Sequence, residues 1–118
     1  MYDVFASDEY FFNDDVFFAI ETKDKQKLLS IIEHKQKLEI QENVPTITKK
    51  NDLIIWNALF IREIIKKGPS KQYLHPLYNK YYKSIQNCND IRALQKIEIQ
   101  MATSYFDILI NSVEVTDN

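Results

Sequence analysis

A single glycine, Gly68, stands among 118 residues, and no other feature constrains the fold of this chain so much. Tight hairpin turns draw on glycine to reach positive φ, so a fold rich in short strands and hairpins is poorly served by one. Leu, Ile, Lys, Glu and Gln abound instead, and they suit helices. The expected class is all-α, a compact bundle of about five helices in a single domain, residues 1–118. A chain of this length buries roughly two-thirds of the surface its unfolded form exposes, so it needs no metal or disulfide to fold. Its one cysteine, Cys88, has no partner for an internal bridge, which points to a reducing, cytoplasmic location. No segment reads as a membrane span, and the first residues lack the basic start and apolar core of a secretion signal.

Hydrophobic periodicity places the helices. The first falls within residues 8–22, where Tyr10, Phe11, Phe17, Phe18 and Ile20 would gather on one broad side. Asp24 suits the cap of a second helix, residues 24–36, in which Leu28, Ile31, Ile32 and Lys35 recur at three- and four-residue spacing. Residues 41–48, "QENVPTIT", contain Pro45 and β-branched residues and read as the longest connection. A third helix over 50–67 carries Leu53, Trp56, Phe60 and Ile64 as one stripe, with Ile54, Ala58, Ile61 and Ile65 as its neighbour. Gly68-Pro69 would stop it. Pro76 fits the first turn of a fourth helix, 76–87, whose side carries Leu77, Tyr78, Tyr81, Tyr82 and Ile85. Asn89 or Asp90 would cap a fifth helix, 90–112, with a narrow polar strip of Lys96, Gln100, Thr103, Asp107 and Asn111.

Asn57 falls in the middle of the third helix's apolar arc. A polar side chain there must find hydrogen-bond partners or incur a cost of roughly 1–3 kcal/mol, so it is either a satisfied structural asparagine or part of a site. Aromatic side chains are the main chemical resource: Trp56, Phe60, Tyr73, Tyr78, Tyr81 and Tyr82 all lie between residues 56 and 82. They would either fill the core of the bundle or line a groove.

Catalytic chemistry has little to work with. His34 and His75 are far apart and share no metal-ligand spacing with Cys88, so neither a metal nor another cofactor is expected. Cys88 between Asn87 and Asn89 has no base and orienter beside it, and Asp14-Asp15 point in two directions on a helix. No glycine-rich phosphate loop exists, and an enzyme is not expected. Charge is uneven. Residues 1–20 carry five acids and no Lys or Arg, while residues 66–83 carry five lysines and no acid. With a net charge of −2, direct DNA binding is not expected.

The run "KKNDLIIWNALFIREIIKKGPSKQYLHPLYNKYYKSIQ" resembles the helical regulatory segment of AraC-type transcription regulators from low-GC Gram-positive bacteria. Asn51, Asn57, Arg62, Gly68, His75, Pro76, Tyr82 and Ile85 match its positions, and upstream "TKD" stands where "x-Gly-Asp" is common. A family double glycine is glycine plus proline here, and Glu63-Ile64-Ile65 replace small residues. The resemblance implies a regulatory, sensor or dimerisation domain lacking its helix-turn-helix DNA-binding region, which would be attached in a longer protein. It also leaves room for a small-molecule effector, with Asn57, Trp56, Arg62, His75, Tyr78, Tyr81 and Tyr82 as ligand or interface candidates. The competing expectation is a stand-alone helical binding protein, immunity-like or phage-encoded. Ile99, Phe106 and Ile110 lie round the flank of the fifth helix opposite Ile97, Met101, Tyr105, Ile108 and Leu109. An uncovered apolar strip there would support a homodimer.

Overall fold

The structure, a computed structural model, describes residues 14–67 and 71–116. Five α-helices account for nearly all of them: α1 (Asp14–Glu21), α2 (Lys25–Gln41), α3 (Thr46–Lys66), α4 (Lys71–Gln86) and α5 (Ile91–Thr116). No strand occurs among the described residues. Helices α3, α4 and α5 pack pairwise as a three-helix unit, and the α1–α2 hairpin lies against it chiefly through α2 and α5.

Local chemistry sets the boundaries. Asp24 caps α2, its Oδ1 accepting from the Lys27 N–H at 3.0 Å. Asp90 does the same for α5 through the Ala93 N–H at 3.0 Å, which settles the choice between Asn89 and Asp90. Asp14 and Asp15 occupy the first turn of α1, where the helix dipole favours negative charge. Lys23 ends the α1 turn at φ 57, and Asn43 ends α2 at φ 53. Both take the left-handed conformation that a helix C-terminus often requires and that glycine reaches most easily.

Three expectations are corrected. Residues 41–48 do not form a long connection: α2 runs on to Gln41, and α3 begins at Thr46. Pro45 stands immediately before the first turn of α3, and its carbonyl accepts from the Thr48 and Lys49 N–H groups at 3.0 and 3.2 Å. Only residues 42–45 connect the two helices. Pro76 is inside α4 rather than in its first turn, because α4 starts five residues earlier. Leu74, fully buried, shows what the earlier start gains: one more apolar anchor. Phe18 is the third correction. It is 56% exposed, with the Lys27 ammonium 5.1 Å from its ring centroid, while Val16, Ala19 and Ile20 form the buried face of α1. The Gly68-Pro69 stop, and Tyr10 and Phe11 of the expected first helix, lie outside the described residues. Helix α3 nevertheless closes at Lys67, whose N–H donates to the Ile64 carbonyl at 2.9 Å.

One continuous core joins all five helices. Leu53, Trp56, Phe60 and Ile64 are all buried, as the α3 stripe predicts, while Ile54, Ile61 and Ile65 are half-buried and Ala58 is exposed. Trp56 is bracketed by Phe17 at 6.1 Å and Phe60 at 5.0 Å between ring centroids. Of the α5 strip, Lys96, Gln100, Asp107 and Asn111 are exposed and Thr103 is half-buried. No described helix is long and apolar enough to cross a membrane.

Candidate functional site

Two polar assemblies sit inside this apolar frame. The first is at the junction of α3, α4 and α5. Asn57 is fully buried, as its place on the apolar arc demands. Its Nδ2 donates to the Tyr78 carbonyl of α4 at 3.1 Å, and its Oδ1 accepts from the Tyr105 hydroxyl of α5. Both ends of the amide are therefore occupied by neighbouring helices. Burial, then the nearby Tyr81 and Tyr78, push the Tyr105 phenol above its ordinary range. Tyr81 packs edge-on to Tyr105 at 5.7 Å, and its hydroxyl donates to the Gln100 carbonyl at 3.2 Å and lies 2.7 Å from the Ser104 Oγ.

The second assembly is ionic and joins α2, α3 and α5. Lys35, Glu39, Lys49 and Glu98 are all buried, Lys49 and Glu98 almost completely. The Lys49 Nζ donates to Glu39 at 2.8 Å and to Glu98 at 2.6 Å, and the Lys35 Nζ donates to the other oxygen of Glu98. Two glutamines complete the layer. Gln36 Nε2 donates to the Gln95 carbonyl and to Glu98, while Gln95 Nε2 donates to the Gln36 carbonyl and to Glu39, all within 2.8–3.1 Å. Among the described residues, every buried side-chain nitrogen and oxygen has a partner.

Electrostatics inside this layer follow from the sharing. Burial alone would raise the Glu98 carboxyl, but Lys35 and Lys49 outweigh it and hold the group down at about 2. Burial likewise works against the charged form of Lys49, yet Glu98 and Glu39 more than compensate, and its pKa rises. Lys35 is hydrogen-bonded to Glu98 and also feels the Glu39 charge. There burial dominates, only partly opposed by Glu98 and reinforced by the Lys49 charge, and its pKa falls. Its ammonium also stands 5.6 Å from the Trp56 ring centroid.

The remaining candidates are dispersed. Trp56 is core. Tyr81 is buried, Tyr78 half-buried and Tyr82 exposed at the edge of a stacked Tyr78–Tyr82 pair with centroids 6.3 Å apart. Arg62 and His75 face solvent, on α3 and α4 respectively, as does Asn51. Phe106 contradicts the uncovered-flank expectation: it is 2% exposed, beside Ile20 and Leu28 at a small internal space. The α1–α2 hairpin covers the flank of α5 that α3 and α4 leave open. Ile99 and Ile110 are half-buried against the core. Cys88 is half-buried, with its thiol 3.5 Å from the Asp90 carbonyl. Among the described residues no group of three or more His, Cys, Asp or Glu is arranged to hold a metal ion.

Glu39, Lys49 and Glu98 were not among the sequence candidates, although a sign of them was there. Lys49 precedes Leu53, Trp56 and Phe60 at helical spacing, and Glu98 lies between Leu94 and Met101 on the buried stripe of α5. Lys35 follows Leu28 and Ile32 in the same way. Charges of both signs on the apolar stripes of separate helices are the pattern of a buried ionic layer. Beside the layer and bordered by its two glutamines, an open groove of about 480 Å³ runs between α2 and α5, lined by Glu33, Gln36, Lys37, Ile40, Arg92 and Gln95 among others. Comparison with protein-family models, curated proteins and solved structures finds no match to this chain.

Proposed function

We propose that the chain is a regulatory or sensor domain of an AraC-like transcription regulator, acting through contacts with an attached DNA-binding region rather than through catalysis. The observation that carries this reading is the Asn57 junction. The asparagine at the centre of the resembling stretch ties α3 to both α4 and α5. Any signal that alters one of these three helices is therefore felt by the other two. Lys23 adds support: it takes φ 57 at the position where the resembled family commonly has glycine. Asn51, Arg62, His75 and Tyr82, which match the resemblance, are exposed and so available to a partner. Homodimerisation belongs to the same reading, with Ile99 and Ile110 as the remaining flank candidates, and so does a cytoplasmic location.

Fusing the chain to a pair of AraC-type helix-turn-helix modules tests the proposal. Operator affinity of the fusion should differ from that of the modules alone by roughly five-fold or more, the scale of coupling between linked sites, and Asn57→Ala should change that difference. Equal affinities would defeat the reading.

A second reading, a stand-alone helical binding protein, is favoured by the outer face of α3. There Ile47 and Ile55 are 62% and 45% exposed. Under that reading the fusion leaves operator affinity unchanged, while Ile55→Asp weakens capture of the partner.

A further inference from the structure

Helix α2 is held to the rest of the molecule in two different ways. Its first half is anchored by Leu28 and Ile32, which are buried in the common core. From Lys35 onward, charges and amides do the holding: Lys35 and Gln36 to Glu98, Glu39 to Lys49 and Gln95. The turn that follows passes through Asn43 at φ 53 and is pinned by buried Val44. These two modes respond oppositely to separation. Parting apolar surfaces exposes hydrocarbon to water and restores nothing. Parting a buried ionic layer returns to each charge the hydration that burial removed, so the loss of pairing is largely offset.

We infer that residues 35–45 are the opening element of this domain. They leave α3 and α5 by local unfolding while Leu28 and Ile32 keep the first half of α2 in place and α3, α4 and α5 stay packed. Opening lifts Lys35 from the face of Trp56 and uncovers Lys49 and Glu98, presenting a strip with an aromatic ring and charges of both signs that the closed domain hides. Such a strip is a state-dependent surface, the kind of difference on which a ligand or partner must act to shift a population. The inference goes beyond the transcriptional reading and does not depend on it.

Hydrogen exchange of the full chain at neutral pH, followed residue by residue at increasing urea, tests it. Amides of Gln36 to Glu39 should exchange about tenfold or more faster than those of Leu29 to Ile32 in the same helix, and with a smaller urea dependence than global unfolding. Val44→Ala should accelerate the Gln36–Glu39 amides further and leave the relative protection of α5 amides from Leu94 to Leu109 intact. Replacing Lys35, Glu39, Lys49 and Glu98 together by Met or Leu should slow the segment toward its neighbours. Equal protection across α2 in the native chain would overturn the inference, without needing any variant to fold. So would Val44→Ala acting equally on both sets of amides.

Discussion

The two polar assemblies solve one problem with different chemistry. At the α3–α4–α5 junction, neutral groups meet: an amide, a carbonyl and phenols, each supplying one or two hydrogen bonds. In the α2–α3–α5 layer, four charges and two amides meet, and Glu98 alone answers two ammonium groups and a glutamine. Neutral groups lose less hydration than charged ones when buried, so each bond of the first assembly stands more nearly by itself. Charged groups lose a great deal, so the second assembly holds only as a complete set. Deleting a member is therefore expected to cost more in the ionic layer, although a complete ionic layer is no strong source of stability.

Removing Glu98 should break this comparison most sharply. Glu98→Ala strands Lys35 and Lys49 in the interior, and a loss of about 3–5 kcal/mol is expected, read from urea unfolding at neutral pH. A loss no larger than that of Asn57→Ala would mean the layer is hydrated and the contrast false.

Acid should act on the same carboxylate more gently, since the oxygens of a protonated Glu98 can still accept from Lys35, Lys49 and Gln36. The folded value near 2 lies below the ordinary 4.5. The stability Glu98 contributes is thus fully present above pH 4.5 and is lost as the pH falls toward 2. At the alkaline end the two lysines oppose one another. Lys49, raised, contributes stability below pH 10.5 that disappears as the pH rises through its folded value. Lys35, lowered, binds fewer protons folded than unfolded, so its term increases stability with pH between its folded value and 10.5. Thermal midpoints should accordingly fall more steeply on the acid side, and the variant with Met or Leu at all four positions should flatten that limb.

Asn57→Ala sharpens the neutral side of the comparison. It leaves the Tyr105 hydroxyl and the Tyr78 carbonyl without their partner, for an expected loss of about 1–3 kcal/mol by urea unfolding. An unmoved midpoint would place water at the junction. The smallest effect is expected outside both assemblies. Lys25 and Asp107 pair at 2.9 Å with side chains 36% and 50% exposed. A double-mutant cycle on that pair should return less than about 1 kcal/mol, falling further with salt.

The sequence by itself determined the helical class, the apolar stripes of α3 and α5, the cap at Asp24, a cap at Asn89 or Asp90, and the burial of Asn57. Each of these is settled within a turn or two of helix, by periodicity or by a side chain bonding its own backbone. The tertiary structure decided what those faces meet. It covered Phe106 with the α1–α2 hairpin, turned Phe18 outward, drew Pro76 inside α4 so that Leu74 could be buried, and exposed Arg62 and His75. It alone brought Lys35 and Glu39 together with Lys49 and Glu98, residues up to 63 positions apart. A helical period shows that a lysine or glutamate sits on an apolar stripe. Only the packing of three helices can supply the opposite charge that makes its burial tolerable.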